Sequence, residues 1–255
     1  MLIIWGAGTL GRLVGARWNR NDDSNVAGYT KKTRSHDLLR EMGIKPHIGS
    51  PVDLLTASDH LLLALPGHQR QMDAIKMVSE RGIIPKRSVL ISSTGFYGEA
   101  SGVVDERTPA GTFPRAQAIA QMEAAFHAWT GARGVILRPG GLYNGERGPF
   151  TAFKRRGTLP NKPMNRTLAL IHYEDVATAA VNALLHPNPQ PIYLAVTDPT
   201  PTRGEFYRAA VEQLGWEMDV VVEGAADIVT YDTTQLQRDL LPTPAYPNWR
   251  TIFIP

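Results

Sequence analysis

A chain of 255 residues, 43% hydrophobic and 20% charged, is long enough to bury a substantial core as one ordinary α/β unit with a small appendage. Its 27 Lys and Arg are scattered among 24 Asp and Glu, for a net charge of +3. No nucleic-acid-binding stripe emerges, and an anionic small molecule suits the balance better. The absence of cysteine excludes disulfides, thiolate nucleophiles and Cys-ligated zinc.

The first elements alternate strictly. The apolar run Leu2–Trp5 reads as a strand ending in glycines, and an apolar helical period covers 10–20. Asn/Asp-rich turn residues then lead to a second short strand, Val26–Thr30. A helix is predicted over 35–42, a strand over 46–48, a fully apolar strand over 60–65, a helix over 69–81 and another buried strand over 89–93. Strands alternating with helices of this length require right-handed crossovers and a parallel sheet covered on both faces. The fold class is therefore α/β, a doubly wound parallel sheet (Rossmann fold) with a small C-terminal substrate-binding portion.

After Ser93 the pattern loosens into a segment rich in glycine and charge. A helix follows at 115–130, a strand at 134–137, a loop-rich stretch at 139–166 and a helix at 175–185. A strand at 192–196, a helix at 203–214 and a proline-rich tail from Pro242 complete the chain. The sheet core is thus expected over 1–138, with 167–197 returning to it, while 139–166 and 198–255 form the smaller portion over the carboxyl edge, where open α/β folds hold ligands. No apolar run approaches the ~20 residues that span a bilayer, and the few residues before the glycines, too short for an n-region and h-region, lead to the expectation of no secretory leader. The expectation is a soluble, cytoplasmic protein with no membrane partner.

Gly6-Ala7-Gly8-Thr9-Leu10-Gly11 matches G-x-G-x-x-G between an apolar strand and a helix, the context that gives the pattern its meaning. Gly6 serves the tight turn, Gly8 lets the backbone approach a pyrophosphate and Gly11 lets the helix pack closely, with Thr9 and Leu10 opening a helix whose N-terminus meets the phosphate charge. In NAD-selective sites an acidic residue after the second strand holds the ribose hydroxyls. Here that strand ends at Thr30 and Lys31, Lys32 and Arg34 follow. Cations in place of a carboxylate favour a 2′-phosphate, so NADP(H) is the preferred coenzyme, with NAD(H) the alternative. A Lys-Lys pair after a strand is also an ordinary solvated turn. Leu65 and Pro66 end the fourth strand beside the coenzyme's expected path, with His68 close by.

The glycine turn, Ser92-Ser93-Thr94-Gly95-Phe96-Tyr97-Gly98, the segment from Arg138 to Tyr143 and Ile171-His172-Tyr173-Glu174-Asp175-Val176-Ala177 occur in an order that resembles the extended short-chain dehydrogenase/reductase family, also called the NAD-dependent epimerase/dehydratase family. The short chain, the Tyr-Asp-Thr-Thr-Gln-Leu segment and the proline-rich tail look most like its atypical branch. The resemblance implies that Ser93, with Thr94 beside it, holds the reacting oxygen of a small polar, sugar-like substrate. It also places Pro139 near the nicotinamide carboxamide and leaves a homodimer open.

The resemblance breaks at the catalytic Tyr-x-x-x-Lys. Aligned on Glu123, Arg115 stands where the Tyr belongs and Ile119 where the Lys belongs. A Lys beside a Tyr lowers the phenol's pKa for proton exchange, which Ile119 cannot do. Arg115 stays charged and cannot give a proton, although it can bind an anion. Tyr97 and Tyr143 are the candidate replacements, followed by His172; each also has a packing role open to it. Asp175 reads as a helix cap. The cationic run Lys154, Arg155 and Arg156 suits a substrate phosphate or a solvated helix face. No His/Asp/Glu spacing resembles a metal site. Three functions stay open: an NAD(P)-dependent oxidoreductase or epimerase-like enzyme, a non-catalytic NADP(H)-binding sensor, and an enzyme that uses the same cleft for a non-redox reaction.

Overall fold

The strands of the central sheet, apart from one edge strand, are largely buried and mostly apolar, because helices cover both faces. The structure is a computed structural model that describes residues 1–20, 25–225 and 227–253; the Asn/Asp-rich turn expected at 21–24 lies outside the described residues. The first half of the chain runs β1 (Leu2–Trp5), α1 (Thr9–Trp18), β2 (Val26–Thr30), α2 (His36–Glu41), β3 (Lys45–Ile48), β4 (His60–Leu63), α3 (His68–Ser79) and β5 (Arg87–Ile91). It continues with β6 (Gly102–Val104), α4 (Pro114–Thr130), β7 (Gly134–Pro139), β8 (Gly141–Tyr143), α5 (Pro149–Arg156), β9 (Leu170–His172), α6 (Tyr173–Leu185), β10 (Ile192–Ala195), α7 (Arg203–Leu214), β11 (Val229–Tyr231) and α8 (Thr234–Asp239).

Seven parallel strands make one sheet in the order β10-β7-β5-β4-β1-β2-β3. Side chains alternate across it. Leu2 and Ile4 join Leu62, Val89, Val135 and Leu137 under α1 and α6, whereas Ile3 and Trp5 join Leu61, Leu63, Leu90 and Ile136 under α3 and α4. The run of Ala177, Ala179, Ala180 and Ala183, all fully buried, lets α6 lie close against its neighbours.

Register brings the strand ends together. Trp5 sits beside Tyr29 and beside Leu63, Leu63 beside Leu90, and Ile91 beside Leu137. The segments that follow β1, β2, β4 and β5 therefore emerge side by side along one edge, although Trp5 and Ile91 are 86 residues apart in sequence.

A third apolar cluster gathers Tyr143, Phe153, Leu170, Phe206, Tyr207, Trp249 and Ile252 away from the sheet. It contains α5 and β8 from the stretch expected to be loop, and β8 pairs with β9. A second small pair, β6 with β11, ties the segment after Ser93 to the late chain. Three-residue strands carry too few alternations to show a period. α5 left a legible signal instead, with Pro149 in its first turn and three basic residues in its last. β4 ends two residues earlier than expected, because Pro66 has no N–H for the ladder and Gly67 turns at φ 86°. Among the described residues no helix is long and apolar enough to cross a membrane, and no cluster of His, Asp and Glu could hold a metal ion.

Candidate functional site

A cavity of about 870 Å³ lies over the carboxyl edge of the sheet. Its floor is the glycine turn. Gly6 takes φ 105°, and a Cβ there would stand 2.5 Å from the Ala64 carbonyl oxygen, so only glycine lets β1 turn so close to β4. A Cβ on Gly11 would meet the Gly6 oxygen at 2.5 Å and Ile4 at 2.8 Å, so this position sets how closely α1 packs on its own strand. Gly8 differs: a Cβ there would have nothing within 4 Å. Its bareness serves no packing need and leaves main chain open to the cavity.

Gly8 is also the N-cap of α1, which has no side-chain cap and no acid in its first turn. The first amides of a helix lack intrahelical acceptors and carry its positive end. The charges around them agree. Lys31, Lys32, Arg34, Arg70, Arg115 and Arg147 line the cavity and no Asp or Glu does. Among the described residues none of these six side chains forms an ion pair. Thr30 orders the basic turn: its hydroxyl lies 2.9 Å from both the Lys32 carbonyl oxygen and His36 Nε2. A donor set of bare amides and uncompensated cations fits a dinucleotide phosphate chain.

Gly6, Gly8, Thr9, Leu10, Gly11, Thr30, Lys31, Lys32, Leu65, Pro66 and Ser93 all line this cavity. Gln71, unnoticed in the sequence, braces its wall by donating from Nε2 to the carbonyls of Leu65 at 3.0 Å and Ile91 at 2.7 Å.

Thr94, Tyr97, Pro139 and Tyr143 are not among the lining residues. Thr94 opens a single tight turn, Thr94–Tyr97, capped by Ser93, whose Oγ accepts from the Gly95 amide at 3.0 Å. The Tyr97 hydroxyl accepts from Arg138 Nη1 at 3.0 Å. Burial pushes its pKa up to about 12 against the pull of that guanidinium, which disfavours proton exchange near neutrality. Tyr143 is fully buried, with its hydroxyl near Thr251 Oγ1 at 3.3 Å and the Asn248 carbonyl at 3.5 Å. Burial raises its pKa as well. Pro139 ends β7 inside the sheet, level with Ala195. His172 caps α6, accepting from the Glu174 amide at 3.1 Å, and its ring stacks on Tyr246 at 3.5 Å.

Asp175 is not the cap expected of it. Its buried carboxylate accepts from the amides of Ala245 at 2.7 Å and Tyr246 at 3.1 Å and so fastens the tail to α6. Lys154, Arg155 and Arg156 lie exposed on the last turn of α5, outside the cavity.

Two lining residues that sequence reasoning passed over stand out. Tyr173 is half-buried at the start of α6. Burial raises the pKa of its phenol, as it does for Tyr97 and Tyr143, and the nearby Arg147 guanidinium offsets only part of that rise. Both lie in or beside segments already quoted for the resemblance, but only the register of β8 with β9 draws them to one wall.

No family model matches the chain. Among curated proteins, Protein YeeZ of Escherichia coli K12 is 29% identical over 175 residues, covering 65% of this chain and 63% of YeeZ. The alignment thus spans less than two thirds of that relative. Among solved structures, MoeE5 in complex with UDP-glucose and NAD superposes with a TM-score of 0.74 at 20% identity, over 99% of this chain and 95% of MoeE5. The Bordetella bronchiseptica enzyme WbmG in complex with NAD gives 0.73 at 17% identity, over 99% and 90%. UDP-glucose 4-epimerase of Thermotoga maritima, with UDP-glucose, gives 0.71 at 15%, over 93% and 91%. The chain shares the fold of these proteins. It is the Rossmann-type α/β fold of NAD-dependent epimerase/dehydratase structures, and the likeness extends over nearly the whole chain.

Proposed function

We propose that this chain binds NADP(H), with NAD(H) as the alternative coenzyme, and acts as an atypical short-chain dehydrogenase/reductase, an oxidoreductase or epimerase-like enzyme on a small polar, sugar-like substrate. One observation carries the reading: the open backbone at Gly8 and the helix end beneath it face a cavity lined by six cations and no carboxylate. Lys31, Lys32 and Arg34 stand where an NAD-selective site would carry an acid, which favours the extra phosphate. The NAD bound in MoeE5 and WbmG supports a nicotinamide dinucleotide and leaves NAD(H) as the alternative.

Bound in this cavity, the coenzyme would supply hydride exchange with substrate carbon. The chain's own residues would do the rest. Ser93 would hydrogen-bond the reacting substrate oxygen, and Tyr173, which lines the cavity where Tyr97 and Tyr143 do not, would exchange the proton with it. Pro139 would act only through backbone at the end of β7, and Thr94 through the turn that it opens. The smaller portion built from 139–166 and 198–255 would close the substrate side, and the chain would work in the cytoplasm, alone or as a homodimer.

A second reading has its own support. Ile119, where the usual Lys belongs, is buried and apolar, so the chain could bind coenzyme as a sensor without turnover. Calorimetry with NADPH and NADH, followed by an absorbance assay of the purified protein against aldehydes, ketones and sugar nucleotides, separates the two. Turnover that falls about tenfold or more in Ser93→Ala and in Tyr173→Phe supports the enzyme. Tight NADPH binding with no turnover supports the sensor, and a cavity indifferent to both coenzymes removes both readings.

A further inference from the structure

Apart from Arg70 in the first turn of α3, the cations of the cavity fall into two groups. Lys31, Lys32 and Arg34 follow β2, whereas Arg115 begins α4 and Arg147 lies between β8 and α5, beyond the end of β7. Three strand spacings separate β2 from β5, whose following turn carries Ser93, roughly 14 Å at about 4.8 Å each. Charges that far apart do not serve one phosphate.

Arg115 lies over the turn that carries Ser93. A Cβ built on Gly95 would stand 3.2 Å from Ser93 Oγ and 3.8 Å from Arg115 Nε, so the hydroxyl and the guanidinium flank one point. The first turn of α4 holds no acid, and its N-cap, Phe113, offers no side-chain acceptor. Arg147 lines the same cavity, close enough to Tyr173 to pull its phenol's pKa down against burial. Neither Arg makes an ion pair or a side-chain hydrogen bond among the described residues. Two guanidiniums that line one cavity without a carboxylate are available to a bound anion.

We propose that Arg115 and Arg147 form an anion subsite at the Ser93 end of the cleft, so that the substrate carries a carboxylate or phosphate group. The inference rests on the reading of this cavity as a coenzyme and substrate site and narrows the substrate class within it. Arg115 thereby takes an anchoring task at the position where the resembling family keeps its catalytic Tyr.

Calorimetric titration with malonate, and separately with inorganic phosphate, tests it on the full chain, both coenzyme-free and saturated with NADP+. At least one anion is expected to bind the saturated protein, and the tighter of the two identifies the substrate's group. Arg115→Gln and Arg147→Gln should each weaken that binding about tenfold or more while NADP+ affinity changes less than about twofold. Lys31→Gln/Lys32→Gln should leave it unchanged. Anion binding indifferent to both Arg variants, or no binding of either anion, overturns the proposal. Failure of NADP+ itself to bind overturns the coenzyme reading instead, and the coenzyme-free titrations of the same Arg variants still decide the anion site.

Discussion

Arg138 Nη2 lies 2.7 Å from Glu123 Oε2, in an ion pair whose side chains are 3% and 4% exposed. The pair is saturated around its edges. The guanidinium lies 3.4 Å over the Phe96 ring and also donates to the Tyr97 hydroxyl, while Ser92 Oγ donates to the other Glu123 oxygen. Through Ser92 this buried network fixes the turn that presents Ser93 to the cavity. Arg138→Met strands a carboxylate in the core, and such losses run to about 3–5 kcal/mol. The apolar double variant Arg138→Met/Glu123→Leu should recover a large part of that in urea unfolding. A double variant as unstable as the sum of the singles would show that the pair is not acting as one unit.

Gly8 and Gly11 should separate binding from folding. Gly8→Asp meets no atom at its Cβ and places an acid at a helix N-terminus, so the melting temperature should hold or rise slightly. Coenzyme affinity should vanish, because side chain and charge occupy the pyrophosphate path. Gly11→Ala must push apart backbone at 2.5 Å, at about 1–3 kcal/mol of stability. Thermal melts and calorimetry on the two variants check both halves, and unchanged affinity in Gly8→Asp would refute the site.

Lys31→Ala/Lys32→Ala bears on coenzyme choice. Both side chains are exposed on the turn after β2, so the fold should not notice their loss. If they hold a 2′-phosphate, NADP+ affinity falls by about tenfold or more while NAD+ affinity barely moves, since charge-assisted hydrogen bonds are worth about 1.5–3 kcal/mol each. Equal losses for both coenzymes would mean that the lysines act only as a general positive field.

The sheet and its glycine turn were legible because local rules and tertiary context agree there. Ile3, Leu61 and Leu90 are buried in runs short enough to be strands, and Gly6, Gly8 and Gly11 each sit where their spacing implies. The wall opposite was harder to read. Tyr97 and Tyr143 carry the right chemistry and sit in the right segments, yet one faces Arg138 and the other Thr251. Tyr173 was passed over because its segment reads as a helix start. What decides between such tyrosines is which way a strand end faces, and β8 and β9 are three residues long, too short for a period to reveal it.

His172 should make stability pH-dependent through its cap. Its Nδ1 accepts from the Glu174 amide, which only an unprotonated nitrogen can do. Burial lowers its pKa from 6.5, with Glu174 pulling the other way, and burial lowers those of His47 and His127 too. A histidine depressed in the folded state binds fewer protons there than in the unfolded chain. The stability it contributes is complete above pH 6.5 and drains away as pH falls through the folded value. Asp175 and Glu106, raised by burial, act in the opposite sense at lower pH, so the informative quantity is a difference between variants. His172→Asn keeps a capping acceptor that does not titrate but loses the stack on Tyr246 and the edge contact with Tyr143. Its melting temperature should be lower than wild type at about pH 7.5, with the gap narrowing toward about pH 5.5 as the wild-type cap is lost. Parallel melting curves across that range would show that His172 does not titrate with folding, and that His47 and His127 carry whatever dependence the wild type has.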